Sequence, residues 1–240
     1  MNEEEYFDSD DEEYELPDAP AVVFAFTGIV WLGRACRMLA GKWRTWLPIA
    51  VLLAVFVAIA GKIPFVGFIL SMWVGTLLAG GVMFACDAQA RGRDWGVGDL
   101  FAGIRYKFKD LTVLSLLLLL FPLVAGLVLT GLVFGGASSP HARAVLSPGN
   151  MSAGVLLLVA ALIAIWSMMS YHAAPLVVLY DVSPWQAVKK SFSGCLKNWA
   201  AILANSIAFI VGGFLAGYIL DLLRKYSSHR INQSCNQICP

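Results

Sequence analysis

Charge is scarce in this sequence. Charged residues make up 14% of the 240, against 59% hydrophobic, and the mean hydropathy is +0.72. A soluble domain carries roughly 25% charged residues. So little charge cannot solvate a water-facing surface, and the apolar residues come in blocks long enough to cross a bilayer, so membrane insertion is a physical requirement. Glutamate is missing altogether after residue 15: all six Glu lie between Glu3 and Glu15. Histidine occurs three times, which makes a metal cluster improbable. The five cysteines, Cys36, Cys86, Cys195, Cys235 and Cys239, match no paired CxxC zinc pattern. Three stand in or beside apolar segments, as small buried thiols do. Cys235 and Cys239 form CxxxC with no His or acidic partner following, and a redox or metal role is not expected there. The motifs GxSxG, HExxH, GxxxxGK[ST] and strand-linked GxGxxG are also missing, so the sequence is read as non-enzymatic and without a cofactor. Nucleic acid is not an expected partner, because the basic residues are spread along membrane-facing helices.

What charge there is, is segregated. Asp8, Asp10, Asp11 and Asp18 join the six Glu, so ten of the sixteen carboxylates fall in the first 18 residues, which contain no Lys or Arg. Such a run repels itself and has no apolar core to bury, so residues 1–20 are expected to form a disordered acidic tail. A cleaved signal peptide needs a basic start leading directly into an apolar run, so the first spanning helix is expected to serve as an uncleaved signal.

The rest reads as an all-α, polytopic membrane domain over residues 21–223, followed by a polar tail, 224–240. About 20 mostly apolar residues cross a bilayer. Five stretches qualify: residues 43–60, 64–86, 111–134, a span within 152–180 that Pro175 kinks or ends, and 199–223. Between them lie short basic segments that are apolar on one face. After Ser183 the apolar positions are Trp185, Val188, Phe192, Leu196 and Trp199, at steps of three and four residues, while Gln186, Lys189, Lys190, Ser193 and Lys197 point elsewhere. After Asp99, the expected cap, the stripe is Phe101, Ile104, Phe108 and Leu111, with Arg105 and Lys109 off it. The earliest segment offers Leu32, Ala35, Cys36, Leu39 and Trp43 with Arg34, Arg37, Lys42 and Arg44. These read as three interfacial helices lying at headgroup level, each leading into a span; the alternative is that each is the wet first turns of a long span. A weak repeat follows, an amphipathic helix plus a hairpin of spans, starting near residues 28, 99 and 183, with the third unit lacking its second span.

Placing the amphipathic helices inside collects twelve basic residues there and leaves five outside. The expected orientation is a cytoplasmic N-terminus. Arg105, Lys109, Lys189, Lys190 and Lys197 then face the anionic leaflet as a candidate lipid or partner surface, beside the reading that they only fix topology. No Lys, Arg, Asp or Glu falls mid-span. His172, with Ser170 ahead of Pro175, is the one ionisable candidate at membrane depth, and Asn205 with Ser206 is a second polar pair; interhelical hydrogen bonding is the plainer role for both. The surface of Gly75, Ala79 and Met83 with Gly80 and Gly81 in the second span, mostly of small residues, and Gly212, Gly213, Ala216 and Gly217 in the fifth, predict close packing, within the chain or between copies.

The run from Trp31 to Trp46, the phrase Asp99-Leu-Phe-Ala-Gly, and Ala174-Pro-Leu-Val-Val followed by Asp181-Val-Ser-Pro-Trp-Gln-Ala resemble an uncharacterised family of bacterial inner-membrane proteins. The layout is similar to the membrane domain attached to some glycerophosphodiester phosphodiesterases. The resemblance covers residues 28–223 and implies a multi-pass bacterial inner-membrane protein, usually of six spans, with no catalytic residue to carry over. The leading expectation is a non-enzymatic scaffold or accessory protein that binds lipid, a protein partner or a second copy. A small-solute or lipid transporter with a site at His172, and a protein that protects the membrane against a toxin, are the alternatives.

Overall fold

The computed structural model describes residues 21–64, 66–135 and 153–238. The acidic segment 1–20, Phe65, residues 136–152, Cys239 and Pro240 lie outside the described residues. Every described regular element is helical: α1 Thr27–Gly41, α2 Trp43–Ala60, α3 Val66–Ala90, a 3-10 helix Val97–Phe101, α4 Ala102–Tyr106, α5 Phe108–Gly135, α6 Ala153–Ser170, α7 Ala173–Leu179, α8 Pro184–Lys197 and α9 Trp199–Ile238. Five helical stretches are long and apolar enough to span a membrane: α2, α3, α5, α6 continued through α7, and α9. Leu52, Val55, Leu116, Leu127, Leu157, Ile163, Phe209 and Phe214 on these helices are exposed. So large an apolar surface is stable only where something other than water covers it, and lipid does so without cost.

The chain divides into two compact units, Gly41–Lys197 and Val22–Ala40 with Asn198–Pro240. In the first, α2 and α3 form an antiparallel hairpin. At its turn, Gly67 lies against the Ala60 carbonyl so closely that a Cβ would occupy the same space. At its open end the Trp46 indole N–H donates to Gln89 Oε1 at 2.9 Å. α3 stops at Gly92, whose φ of +71° is cheap only without a Cβ. The Arg93 N–H then reaches back to Ala88 O (2.8 Å) and the Gly92 N–H to Gln89 O (3.2 Å), the paired bonds that close a helix C-terminus.

The segment after α3 folds back onto its middle. Gly81 faces the Leu100 carbonyl, Gly103 faces the Leu77 carbonyl, and Gly80 lies beneath Leu111; a Cβ at any of the three would collide. Glycine thus allows backbone to meet backbone, and Leu77, Phe84, Ala102, Leu111, Leu114, Val177, Val178, Ala187 and Val188 fill the core around the contact. Two expectations are corrected here. The residues after Asp99 do not form one amphipathic helix: a 3-10 turn, a five-residue helix and α5 follow in succession, because the small residues Ala102 and Gly103 are drawn onto α3. Leu111 is fully buried while Phe101 and Phe108 are about half exposed, so the expected stripe is split between two directions. Asp99 is not the cap either. Gly96 holds that position, and the Asp99 carboxylate, three residues inside, accepts the Gly96 N–H at 2.8 Å.

One proline in the spans is compensated from a neighbouring element. Pro122 cannot donate to the Leu118 carbonyl, and the Trp166 indole N–H from α6 takes that acceptor at 3.0 Å. The fourth span breaks between Ser170 and Ala173, just ahead of Pro175, where the sequence places a kink.

In the second unit, Gly28 of α1 seats on the Ala201 carbonyl of α9. The Val23 N–H donates to Asn198 Oδ1 at 2.8 Å. The helix α9 does not end near Leu223 as the polar turn of the sequence suggests. It continues to Ile238, and its 40 residues amount to ~60 Å, about twice a hydrocarbon core. Asp221 and Lys225, one turn apart at 2.8 Å, bridge the change from apolar to polar without interrupting it.

Candidate functional site

The helix α8 begins with Pro184, which suits a first turn because its missing N–H would have had no partner there. Its backbone is fixed by a face of small residues. Pro184, Ala187, Val188, Ser191 and Cys195, at helical spacing, are all buried. This revises the expected stripe: Val188 goes to the core, while Trp185, Leu196 and the following Trp199 are more than half exposed. Small side chains at positions 187, 191 and 195 let α8 approach α6 and α7 closely, which the larger Trp185 and Leu196 would prevent.

The remaining positions separate into two further faces. Trp185, Lys189, Phe192 and Leu196 recur at steps of four, three and four residues, so they share one side. The Lys189 ammonium lies 4.8 Å from the centre of the Trp185 ring, an arrangement in which the charge rests over an aromatic face and the stem covers apolar surface. Gln186, Lys190, Ser193 and Lys197 form the third side, all exposed and all polar. A helix divided into a protein-facing, an apolar and a cationic side is shaped for a boundary between hydrocarbon and water.

Ser191 is the residue through which α8 acts on the fourth span. In an unbroken helix the His172 N–H would donate to the Met168 carbonyl. Here the Ser191 hydroxyl is inserted between them. It accepts the His172 N–H at 3.0 Å and donates to Met168 O at 2.8 Å. An inserted hydroxyl is a recognised cause of a helix kink. It also leaves neither backbone group unmet, which in hydrocarbon would cost several kcal/mol each, of order.

The polar candidates of the sequence fall out differently. His172 sits at the break, half-buried, with its ring edge-on to Tyr171 at 4.7 Å. Ser170 does not face a shared site: its hydroxyl donates to the Trp166 and Ser167 carbonyls of its own helix. Asn205 stands on α9, in the second unit, and its neighbour Ser206 bonds back to Ile202 O, so that hydroxyl does not serve as the expected interhelical link. Among the described residues no three His, Cys, Asp or Glu come together as metal ligands.

The basic candidates Arg105, Lys109, Lys189, Lys190 and Lys197 are all exposed and all belong to the first unit. Lys107 between them is used differently. Its ammonium meets Asp181 Oδ1 at 2.9 Å, tying the start of α5 to the turn before α8. Asp181 holds a positive φ of 48°, a conformation Asp tolerates better than most residues. Asp87, buried at the end of α3, is gripped by Arg91 Nε at 3.0 Å and Arg93 Nη2 at 2.6 Å. Neither cluster stood out in the sequence. The spacing of small residues at 187, 191 and 195 is the signal that identifies the buried face of α8.

Comparisons with protein-family models, curated proteins and solved structures find no match for this chain.

Proposed function

We propose that this chain is a multi-pass protein of a bacterial inner membrane, with its N-terminus in the cytoplasm, and that it acts without catalysis, as an accessory or scaffold protein that holds anionic lipid headgroups against α8. The observation that carries the reading is the division of α8 into three sides. Its small face is occupied by protein, Trp185, Phe192 and Leu196 match the acyl boundary, and Lys190 and Lys197 match headgroup phosphates. The excess of basic residues at the ends shared by α8 and the starts of α2 and α5 supports the cytoplasmic orientation. The resemblance of residues 28–223 to a bacterial inner-membrane family supports the choice of membrane. The transporter alternative draws on the break at His172, but the backbone groups opened there are already bonded to Ser191.

The test is native mass spectrometry of the protein in nanodiscs containing phosphatidylglycerol and phosphatidylcholine. Each lysine near a charged surface contributes ~1 kcal/mol, so the double variant Lys190→Gln, Lys197→Gln should retain phosphatidylglycerol roughly ten- to thirtyfold less well. Equal retention of the two lipids by the unaltered protein overturns the reading. A protein co-purified in place of lipid would move the scaffold role to a protein partner, and one defined small solute would favour transport.

A further inference from the structure

We propose that the lysine side of α8 selects one class of anionic lipid, a lipid whose headgroup carries two phosphates joined through a single glycerol, as in cardiolipin. Such a preference rests on α8 holding anionic headgroups, as proposed above. What points to it is spacing. At ~100° per residue, Gln186, Lys190, Ser193 and Lys197 fall within about 60° of one another around the helix, and all four are exposed. Lys190 and Lys197 are nearly in line, and at ~1.5 Å per residue they stand about 10 Å apart along the axis. A single phosphate accepts an ammonium N–H at about 3 Å, so it is matched to one of these lysines at a time. In a two-phosphate headgroup the phosphorus atoms are joined by six bonds of ~1.5 Å, which extend to about 7 Å. Adding a contact of about 3 Å at each end, ammonium groups up to about 13 Å apart can each hold one phosphate. The separation of Lys190 and Lys197 lies inside that reach.

The rest of α8 suits the same ligand. Ser193 lies between the two lysines on their own side, at the height of the glycerol that bridges the phosphates. The helix contains no Asp or Glu, so it offers the ammonium groups no carboxylate of its own. The side formed by Trp185, Phe192 and Leu196 adjoins the lysine side, so acyl chains and phosphates of one molecule meet neighbouring faces. Lys189 is occupied differently, with its ammonium 4.8 Å from the centre of the Trp185 ring. Once one phosphate is held, the second is presented to the other lysine at an effective concentration of order millimolar. A lipid with one phosphate gains nothing of the kind. The helix therefore discriminates among anionic lipids by the spacing of their phosphates as well as by charge.

The test is titration of the full chain in phosphatidylcholine nanodiscs with either cardiolipin or phosphatidylglycerol, read by native mass spectrometry. The second lysine contact should make the Kd for cardiolipin about fivefold lower than that for phosphatidylglycerol. Lys190→Gln or Lys197→Gln alone should erase the difference, while weakening phosphatidylglycerol only about twofold, because one of two single-phosphate positions remains. The double variant Gln186→Lys, Lys190→Gln keeps the charge and sets the two lysines about 16 Å apart, beyond the reach of the two phosphates. It should hold phosphatidylglycerol as the parent protein does and lose the preference for cardiolipin. A parent Kd for cardiolipin within about twofold of that for phosphatidylglycerol, the statistical advantage of a second phosphate, overturns the two-phosphate preference and leaves the headgroup reading standing. Full preference retained by the spacing variant overturns it as well. If neither lipid is held above phosphatidylcholine, the headgroup reading falls and the preference with it.

Discussion

The helices α3 and α9 each carry a run of glycines, Gly75, Gly80 and Gly81 in one and Gly212, Gly213 and Gly217 in the other, and only Gly80 and Gly81 are covered. Gly80 and Gly81 take the Leu111 side chain and the Leu100 carbonyl at distances no Cβ would permit. A Cβ on Gly212, Gly213 or Gly217 would meet no atom within 4 Å, and Gly75 on α3 is as open. Small residues permit close approach without specifying it. What the glycines at 80 and 81 of α3 have, and those of α9 lack among the described residues, is a neighbouring segment, 97–106, delivered by a short connection and carrying its own small residues at the matching height. Leu77, Phe84 and Leu100 are almost fully buried around that contact, whereas Phe209 and Phe214 of α9 are about 70% exposed or more.

This contrast can be tested by adding single methyl groups. Gly81→Ala should be the most damaging, because the added carbon meets backbone and cannot be relieved by a rotamer change. A loss of about 3 kcal/mol or more, or failure to fold, is expected in a reversible unfolding assay in detergent or bilayer. A loss below 1 kcal/mol would mean that the segment 97–106 does not lie on α3. Ser191→Ala comes next. It deprives both the His172 N–H and the Met168 carbonyl of their partner, at a cost of about 1–3 kcal/mol for each, and backbone hydrogen exchange at residue 172 should rise with it. Gly213→Ala should be smallest among these, within about 0.5 kcal/mol. A large loss there would reveal that the α9 face is covered in the membrane, for instance by a second copy.

Thiol chemistry sharpens the same distinction between filled and open faces. Burial pushes the Cys195 thiol above its usual pKa of 9.0, with the Ser191 hydrogen bond offsetting part of the rise, while Cys36 on α1 is exposed. Cys36 should therefore be alkylated at pH 8 and Cys195 spared until the protein unfolds. The sign of the pH effect follows. The folded state favours the neutral thiol, so this contribution to stability is complete below about pH 9 and is lost as pH rises further. A Cys195→Ala variant should show less alkaline destabilisation than the parent protein.

The spanning helices were legible because lipid imposes a simple rule, an unbroken apolar run of sufficient length, and residues 43–60 match α2 end for end. The kink in the fourth span was legible from Pro175. The hydroxyl inserted at the break was not, since it comes from Ser191, nineteen residues away. The stripes of the amphipathic segments were misread for a related reason. Apolar periodicity marks a face that avoids water, and in a membrane protein both lipid and protein satisfy that demand. Val188 and Leu196 look alike by hydropathy, yet one enters the core and the other does not. Size discriminates where hydropathy fails, as Ala187, Ser191 and Cys195 demonstrate. The pairing of Lys107 with Asp181, 74 residues apart, has no local signal at all.

The three-sided division of α8 is the claim on which the rest depends, and nitroxide scanning tests it most directly. Labels placed one at a time from position 185 to 197, in a background with the other cysteines replaced, are read for collision with oxygen dissolved in the bilayer and with a water-soluble nickel chelate. The account predicts oxygen access at 185, 192 and 196, nickel access at 186, 190, 193 and 197, and immobilised labels shielded from both at 187, 191 and 195. Equal nickel access at 185, 192 and 196 would place the helix in bulk water, and that result would contradict the account.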